Sequence, residues 1–295
     1  MKVLKSNCKF CQYISELAVK AMIYEVSATP KPGLVDRNNS GAHNDMDFFT
    51  FMSSSASLTY TFYECALEGV NFDREDYRDL LKRIRPIGIK GEEKMFNATR
   101  GVNTHKGLIF SLGIIAAAAG NIYKETGRQV ISSEEISMKI RKITKGITEE
   151  LKEIDRKEKL TYGEKLYKKY GTKGIRGEVE SGFATVLKTG LPILKRLTAK
   201  QDTHINDILV QTLLYLMIET EDSNVLGRHN LDMLNYVKKS AREAIRLGGM
   251  FSQSGKEYIY KMDKDFIEKN ISPGGSADLL AVTFMIALLE NPKIF

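Results

Sequence analysis

The sequence predicts an all-α protein. Apolar residues recur at helical spacing along the whole 295-residue chain. Strand signals are nearly absent: β-branched alternation never exceeds about four residues, and no Asn-Gly or Asp-Gly pair offers a hairpin turn. The breaks between periodic segments carry Gly, Pro, Ser and Asp, residues that start or stop helices.

Phe10, Tyr13, Ile14, Leu17, Ala18, Ala21 and Met22 line one face of a helix over 9–27. Residues 47–67 are apolar or small nearly all round and read as a buried helix. A charged face marks a helix over 74–84, and the Ala/Ile/Leu-rich stretch 104–126 reads as the core helix. Ser133 followed by Glu134 and Glu135 opens a helix over 133–154. Further helices are expected over 178–197, 203–219, 230–246, 252–269 and 273–289, the last with Pro273 just inside its start. The segment 152–173, rich in Lys, Glu, Tyr and Gly, reads as a mobile connection within one domain spanning 1–295. No repeat of about 20–50 residues is visible, which argues against a solenoid.

Hydrophobic residues make up 42% of the chain, enough for a full core. A net charge of +7 favours anionic partners. The lysines are interleaved with glutamates, there is no tryptophan, and no basic stripe carries stacking aromatics, so nucleic acid is disfavoured. Three cysteines and no secretory signal indicate a reducing cytoplasm. Cys8-x-x-Cys11 lacks the second ligand pair that structural zinc requires. The longest apolar run, 108–119, is interrupted by Ser111 and Gly113 and falls short of the roughly 18 residues of a membrane span. No membrane association is expected.

The chemistry sits in the connections. Between the first two helices, Thr29-Pro30-Lys31-Pro32-Gly33-Leu34-Val35-Asp36 runs on to Gly41-Ala42-His43-Asn44-Asp45-Met46-Asp47. A connection that only joined helices would need about two to eight residues. Asp36, Asp45 and Asp47 are candidate Mg²⁺ ligands, since that ion binds through one or two carboxylates plus phosphates; Asp45 or Asp47 could instead cap the next helix. Glu25, on the way into this loop, is a candidate desolvated base or a plain surface charge.

Asn103-Thr104-His105-Lys106-Gly107 opens the core helix, where free N–H groups and the macrodipole attract an oxyanion. It is not a P-loop, because the G-x-x-x-x-G-K-[ST] spacing is missing. Gly174-Ile175-Arg176-Gly177-Glu178 offers a guanidinium that can grip phosphate bidentately. Asp222, Asn224 and Arg228 bring an acid, an amide and a guanidinium into one polar loop, or form a simple Asp222–Arg228 bridge. Ser272-Pro273-Gly274-Gly275-Ser276-Ala277-Asp278 again pairs glycines with a helix start, and Asp278 could hold a metal or a ribose hydroxyl. No G-x-S-x-G elbow or H-E-x-x-H pair is present.

Taken in order, the blocks from Glu25 to Asp36, Gly41 to Met46, Gly101 to Gly107, Gly174 to Glu178, Asp222 to Val225 and Ser272 to Ala281 resemble the triphosphoribosyl-dephospho-CoA synthases. The T-P-K-P-G-L-V-D and N-T-H-K-G blocks are the specific ones. His229 departs from the pattern, standing where the family would have a glycine. The resemblance implies that ATP loses adenine and its triphosphoribosyl unit passes to the 2′-hydroxyl of 3′-dephospho-CoA. The product is the prosthetic-group precursor for the acyl carrier subunit of citrate lyase or malonate decarboxylase.

For that reaction Glu25, His43 and Asp45 are the expected catalytic residues. Lys31, Asn103, Thr104, His105, Lys106, Arg176, Asn224, Arg228, Gly274, Gly275 and Ser276 are expected to bind the nucleotide. Asp36, Asp45, Asp47, Asp222 and Asp278 are the expected Mg²⁺ ligands. Two rivals remain at this level: a Mg²⁺-dependent nucleotide or ADP-ribose glycohydrolase, and a non-catalytic nucleotide- or CoA-binding adaptor for an acyl carrier protein.

Overall fold

The structure is a computed structural model that describes residues 2–154, 158–200 and 202–294. It consists of helices α1 (Lys2–Ser27), α2 (Phe48–Ser57), α3 (Thr59–Asn71), α4 (Arg78–Ala98), α5 (Lys106–Thr126), α6 (Ser133–Thr144), α7 (Tyr162–Tyr170) and α8 (Gly174–Glu180). They continue with α9 (Leu191–Thr198), α10 (Ile205–Glu219), α11 (Ser223–Arg228), α12 (Leu231–Arg246), α13 (Gln253–Glu268) and α14 (Gly274–Glu290). Among the described residues there is no strand.

Two helices form the centre. The α5 stretch from Ile114 to Ala119 is buried on every side, as is α14 from Leu279 to Leu289. The first is wrapped by α1, α3, α4 and α6, the second by α1, α9, α10 and α11, and the two touch each other. Their apolar, all-round composition follows from that position: neither has a solvent face to make polar. By length and composition α5 could cross a membrane, contrary to the expectation from its broken apolar run, but 78% of the relevant window is buried inside the protein.

Several expected boundaries shift. The single helix over 47–67 is two, because the chain turns at Leu58. There Ser57 and Thr59 donate their hydroxyls to the carbonyls of Ser54 and Ala56, a local alternative to helix continuation. Conversely, α4 runs straight through Pro86, since Gly91 and Met95 extend the buried face begun by Leu80, Leu81 and Ile84. The helix expected over 133–154 stops at Thr144, and Gly146 follows with a left-handed φ of 82°. The helix expected over 178–197 breaks at Phe183, which is buried with a φ of 60°, before a π turn at Val186–Gly190 leads into α9. Part of the expected mobile connection, 155–157, lies outside the described residues. The rest contains α7, opened by a capping box between Thr161 and Glu164. Pro273 stands at the N-cap of α14, one position earlier than expected.

Candidate active site

The site begins where α1 ends. Glu25 and Lys31 form an ion pair that is 3% and 1% exposed. Burial pushes the Glu25 carboxyl above its usual range, against the pull of Lys31. The loop that carries Lys31 is folded around Asp36. One Asp36 oxygen accepts from Thr29 Oγ1 (2.7 Å) and the Lys31 N–H (2.9 Å), the other from the N–H groups of Asn38 (2.7 Å) and Asn39 (3.1 Å). The same loop is bolted to the bundle by Asn206 on α10, which bonds both backbone groups of Thr29. Asp263 on α13 accepts from the Gly33 N–H and from Asn39. Gly33 has a φ of 71°, and a Cβ there would strike the Ile271 carbonyl, so only glycine fits this turn.

A second segment enters at the start of α5. His105 is its N-cap, 1% exposed, with its ring edge-on to Phe51 of α2 at 4.8 Å. Asn103 accepts the Lys106 N–H at 3.2 Å, a capping bond. The Lys106 ammonium points away to Glu92 on α4, at 2.7 Å.

The third segment joins α11 to α14. Asp222 caps α11 by accepting from Asn224 and Val225, and its other oxygen accepts from the Ser276 N–H (2.8 Å) and hydroxyl (2.9 Å) in the first turn of α14. Two helix starts thus share one buried carboxylate, and the Asp222–Arg228 bridge considered from the sequence is not the arrangement found. Asn224 packs on Gly274, and Gly275 lies against the Asp222 carboxylate. Arg228 reaches instead to the Ala42 carbonyl and Asn270 Oδ1, both at 3.1 Å, and to His43 Nδ1 at 3.2 Å. His43 Nε2 meets Ser272 Oγ at 2.9 Å, while Asp45 lies 3.7 Å from Nδ1. Burial and Arg228 hold the His43 ring below its usual pKa, with Asp45 pulling the other way.

These segments converge on Asp278. Its carboxylate lies against Gly107 so closely that a Cβ there would collide with Oδ2. It is half-buried, set deep among protein atoms, and no hydrogen bond to it is found among the described residues. Burial, then Glu25, then Asp222 raise its pKa well above the usual carboxylate value, and Lys31 opposes them. Three carboxyl groups whose ionisation burial disfavours are therefore gathered between the starts of α5 and α14, with the Lys31 ammonium close by.

The pH dependence follows. A carboxyl whose pKa is higher folded than unfolded binds more protons in the native state, so its contribution to stability falls as pH rises. For Asp278 the fall begins near pH 4, where the unfolded side chain ionises, and continues through the raised folded value. The melting temperature of an Asp278→Asn variant should match wild type near pH 4 and exceed it increasingly toward neutral pH. A gap that stays constant with pH would contradict this.

The other expected residues are placed differently. Asp47 is exposed and caps α2 through Thr50. Arg176 pairs with Glu164 of α7 at 3.5 Å. Asp36 and Asp222 each already accept several protein hydrogen bonds, which they would have to give up to hold a metal. Among the described residues no group of three or more His, Cys, Asp or Glu side chains is close enough to hold an ion. The free carboxylate of Asp278 fits Mg²⁺ only in company with phosphate oxygens, the habit of that ion. Ser54, Asn270 and Ser272 also belong to this region, and the Ser53-Ser54-Ser55 run inside an apolar helix was the one sequence sign of the first.

Carboxyl groups, an ammonium and two helix starts brought together on an all-α frame are the equipment of a nucleotide-dependent transferase. The sequence model of the ATP:dephospho-CoA triphosphoribosyl transferase family matches residues 11–294. A protein of Lactiplantibacillus plantarum is 39% identical over 275 residues, covering 92% of this chain and 95% of its own length. One of Photobacterium profundum is 38% identical over 283 residues (95% and 89%), and one of Streptococcus equi subsp. equi 39% over 289 (94% and 97%). All three carry the name "probable 2-(5′′-triphosphoribosyl)-3′-dephosphocoenzyme-A synthase". No solved structure matches. The chain belongs to the triphosphoribosyl-dephospho-CoA synthase family, and its activity is that of a triphosphoribosyl transferase.

Proposed function

We propose that the enzyme carries out its transfer in the recess around Asp278. The carrying observation is the carboxylate group Glu25, Asp222 and Asp278 with Lys31 beside it. As the C1′–N9 bond of ATP breaks, positive charge develops on the ribose. Fixed carboxylates facing that charge stabilise the transition state. The 2′-oxygen of 3′-dephospho-CoA forms the new bond to C1′ as the bond to adenine breaks; its proton passes to Glu25 or His43, departing adenine takes up one proton in its place, and the base ends as it began. Asp45 orients His43 and raises its basicity. Lys31, the first turn of α14 (Gly274, Gly275, Ser276) and Arg228 hold the phosphates, with Asn103, Thr104, His105, Lys106, Asn224 and Arg176 lining the approach. Mg²⁺ carried on the triphosphate, with Asp278 as protein ligand and Asp45, Asp47, Asp36 and Asp222 as further candidates, would neutralise phosphate charge. The product serves a citrate lyase or malonate decarboxylase acyl carrier subunit, in the cytoplasm.

Adenine release from Mg-ATP, with and without 3′-dephospho-CoA, tests this. Release should require the acceptor. Release without it would indicate hydrolysis, and none an adaptor. Glu25→Gln or His43→Ala should slow release by roughly 10²–10⁴, the usual worth of a general base. Near-native turnover in both would remove the base assignment and leave the transferase activity standing.

A further inference from the structure

His105, placed above along the approach of the nucleotide, is held by a short relay through Ser54, a residue the reaction outlined above does not use. Thr104 Oγ1 donates to Ser54 Oγ at 2.8 Å, and Ser54 Oγ meets His105 Nδ1 at 2.7 Å. A serine hydroxyl has one proton to give. Ser54 Oγ accepts from Thr104, and among the described residues its proton finds no acceptor other than Nδ1, which makes Nδ1 the acceptor. The ring proton consequently sits on Nε2. Nε2 is buried and meets no hydrogen-bond partner among the described residues. A buried N–H without an acceptor is costly, and such a group calls for an explanation.

The surroundings indicate the missing acceptor. His105 stands at the N-cap of the 21-residue helix α5, whose dipole favours an anion. Burial, and after it the nearby Lys31 ammonium, holds the imidazole pKa down to about 3. The ring is therefore neutral at physiological pH, a fixed donor rather than a proton shuttle. A neutral donor beside an ammonium and a helix start is complementary to an anionic oxygen.

We infer that Ser54 and Thr104 are positioning residues that lock His105 as the Nε2–H tautomer, and that a phosphate oxygen of the nucleotide completes its hydrogen bond. This rests on the reading that the recess around Asp278 binds ATP. Nε2 is closed to bulk water, so the bond forms in a complex in which neighbouring segments shift. The acceptor then gains a donor that needs no reorientation, which is the advantage of a preorganised site. A serine-to-alanine change would free the tautomer without touching substrate.

The test is nitrogen-15 NMR of histidine-labelled protein. The chain has four histidines, so His105→Gln assigns the signal by its loss. The free enzyme should show His105 with Nε2 protonated and Nδ1 bare. Ser54→Ala should give a tautomer mixture, Ser54→Thr should restore the single form, and Thr104→Val should give a partial mixture should the alanine variant fail to fold. Inorganic tripolyphosphate and ATP should each shift the Nε2–H signal, and adenosine should not. Ser54→Ala should raise KM for ATP or lower kcat about tenfold, the worth of one hydrogen bond to a charged group, with rescue by Ser54→Thr.

A protonated Nδ1 in wild type, or an unchanged tautomer in Ser54→Ala, overturns the lock. A shift with adenosine and none with tripolyphosphate overturns the phosphate assignment. Both outcomes leave acceptor-dependent adenine release, and hence the transferase itself, unaffected. Loss of that release in wild type would instead strike the underlying reading.

Discussion

Asp278→Asn should abolish most transfer while making the protein more stable. The side chain keeps its shape, so packing against Gly107 is preserved. What disappears is a carboxyl whose ionisation burial, Glu25 and Asp222 oppose, and no hydrogen bond to Asp278 among the described residues is lost with it. Active sites store such strain, and relieving it commonly adds about 0.5–2 kcal/mol. Transition-state stabilisation by one fixed charge or donor is commonly worth about 10²–10³ in rate, and loss of a Mg-triphosphate contact would add to that. Turnover and urea midpoint, measured together, check this. An Asn variant that is less stable and still active would show that Asp278 is structural.

Lys31→Met should act in the opposite sense on stability. Lys31 and Glu25 are both almost fully buried, and the pair is their mutual compensation. Removing the ammonium leaves a carboxylate in a poorly polar setting. Breaking a buried pair from one side costs about 3–5 kcal/mol. The Glu25→Gln/Lys31→Met double variant removes both charges and should recover much of that loss, because matched apolar or neutral replacements of buried pairs are often nearly neutral. Activity should not return, since the double variant still lacks the cation expected to grip the triphosphate. Urea denaturation of the two single variants and the double closes the cycle. Additive effects would mean that the pair is not coupled.

The all-α class and the core helix α5 could be read directly from the apolar pattern, whereas α14 was legible as a helix but not as the second centre of the bundle. Boundaries were harder to read for identifiable reasons. Leu58 looks like helix, and only the bonds of Ser57 and Thr59 to the preceding turn reveal the break. Pro86 looks like a stop, and only the continued burial of Gly91 and Met95 carries α4 past it. At the site, the sequence marked the loops as unusual but could not say which acids the fold would engage in hydrogen bonds. Asp36, Asp45, Asp47, Asp222 and Asp278 are alike on paper. Folding engages Asp36, Asp47 and Asp222 with neighbouring N–H and hydroxyl groups and leaves Asp278 without such partners. That distinction depends on contacts across as many as 54 residues, as between Asp222 and Ser276. The Ser54–His105 bond, spanning 51 residues, was beyond reach for the same reason.

The central claim is that separate loops and helix starts make one recess for the nucleotide around Asp278. Crystals of the enzyme with Mg-ATP test it most directly. The account predicts the ribose C1′ beside the Asp278 carboxylate, with the triphosphate running along Lys31 and the first turn of α14. Nucleotide bound elsewhere on the bundle, with Asp278 and Lys31 untouched, would contradict it.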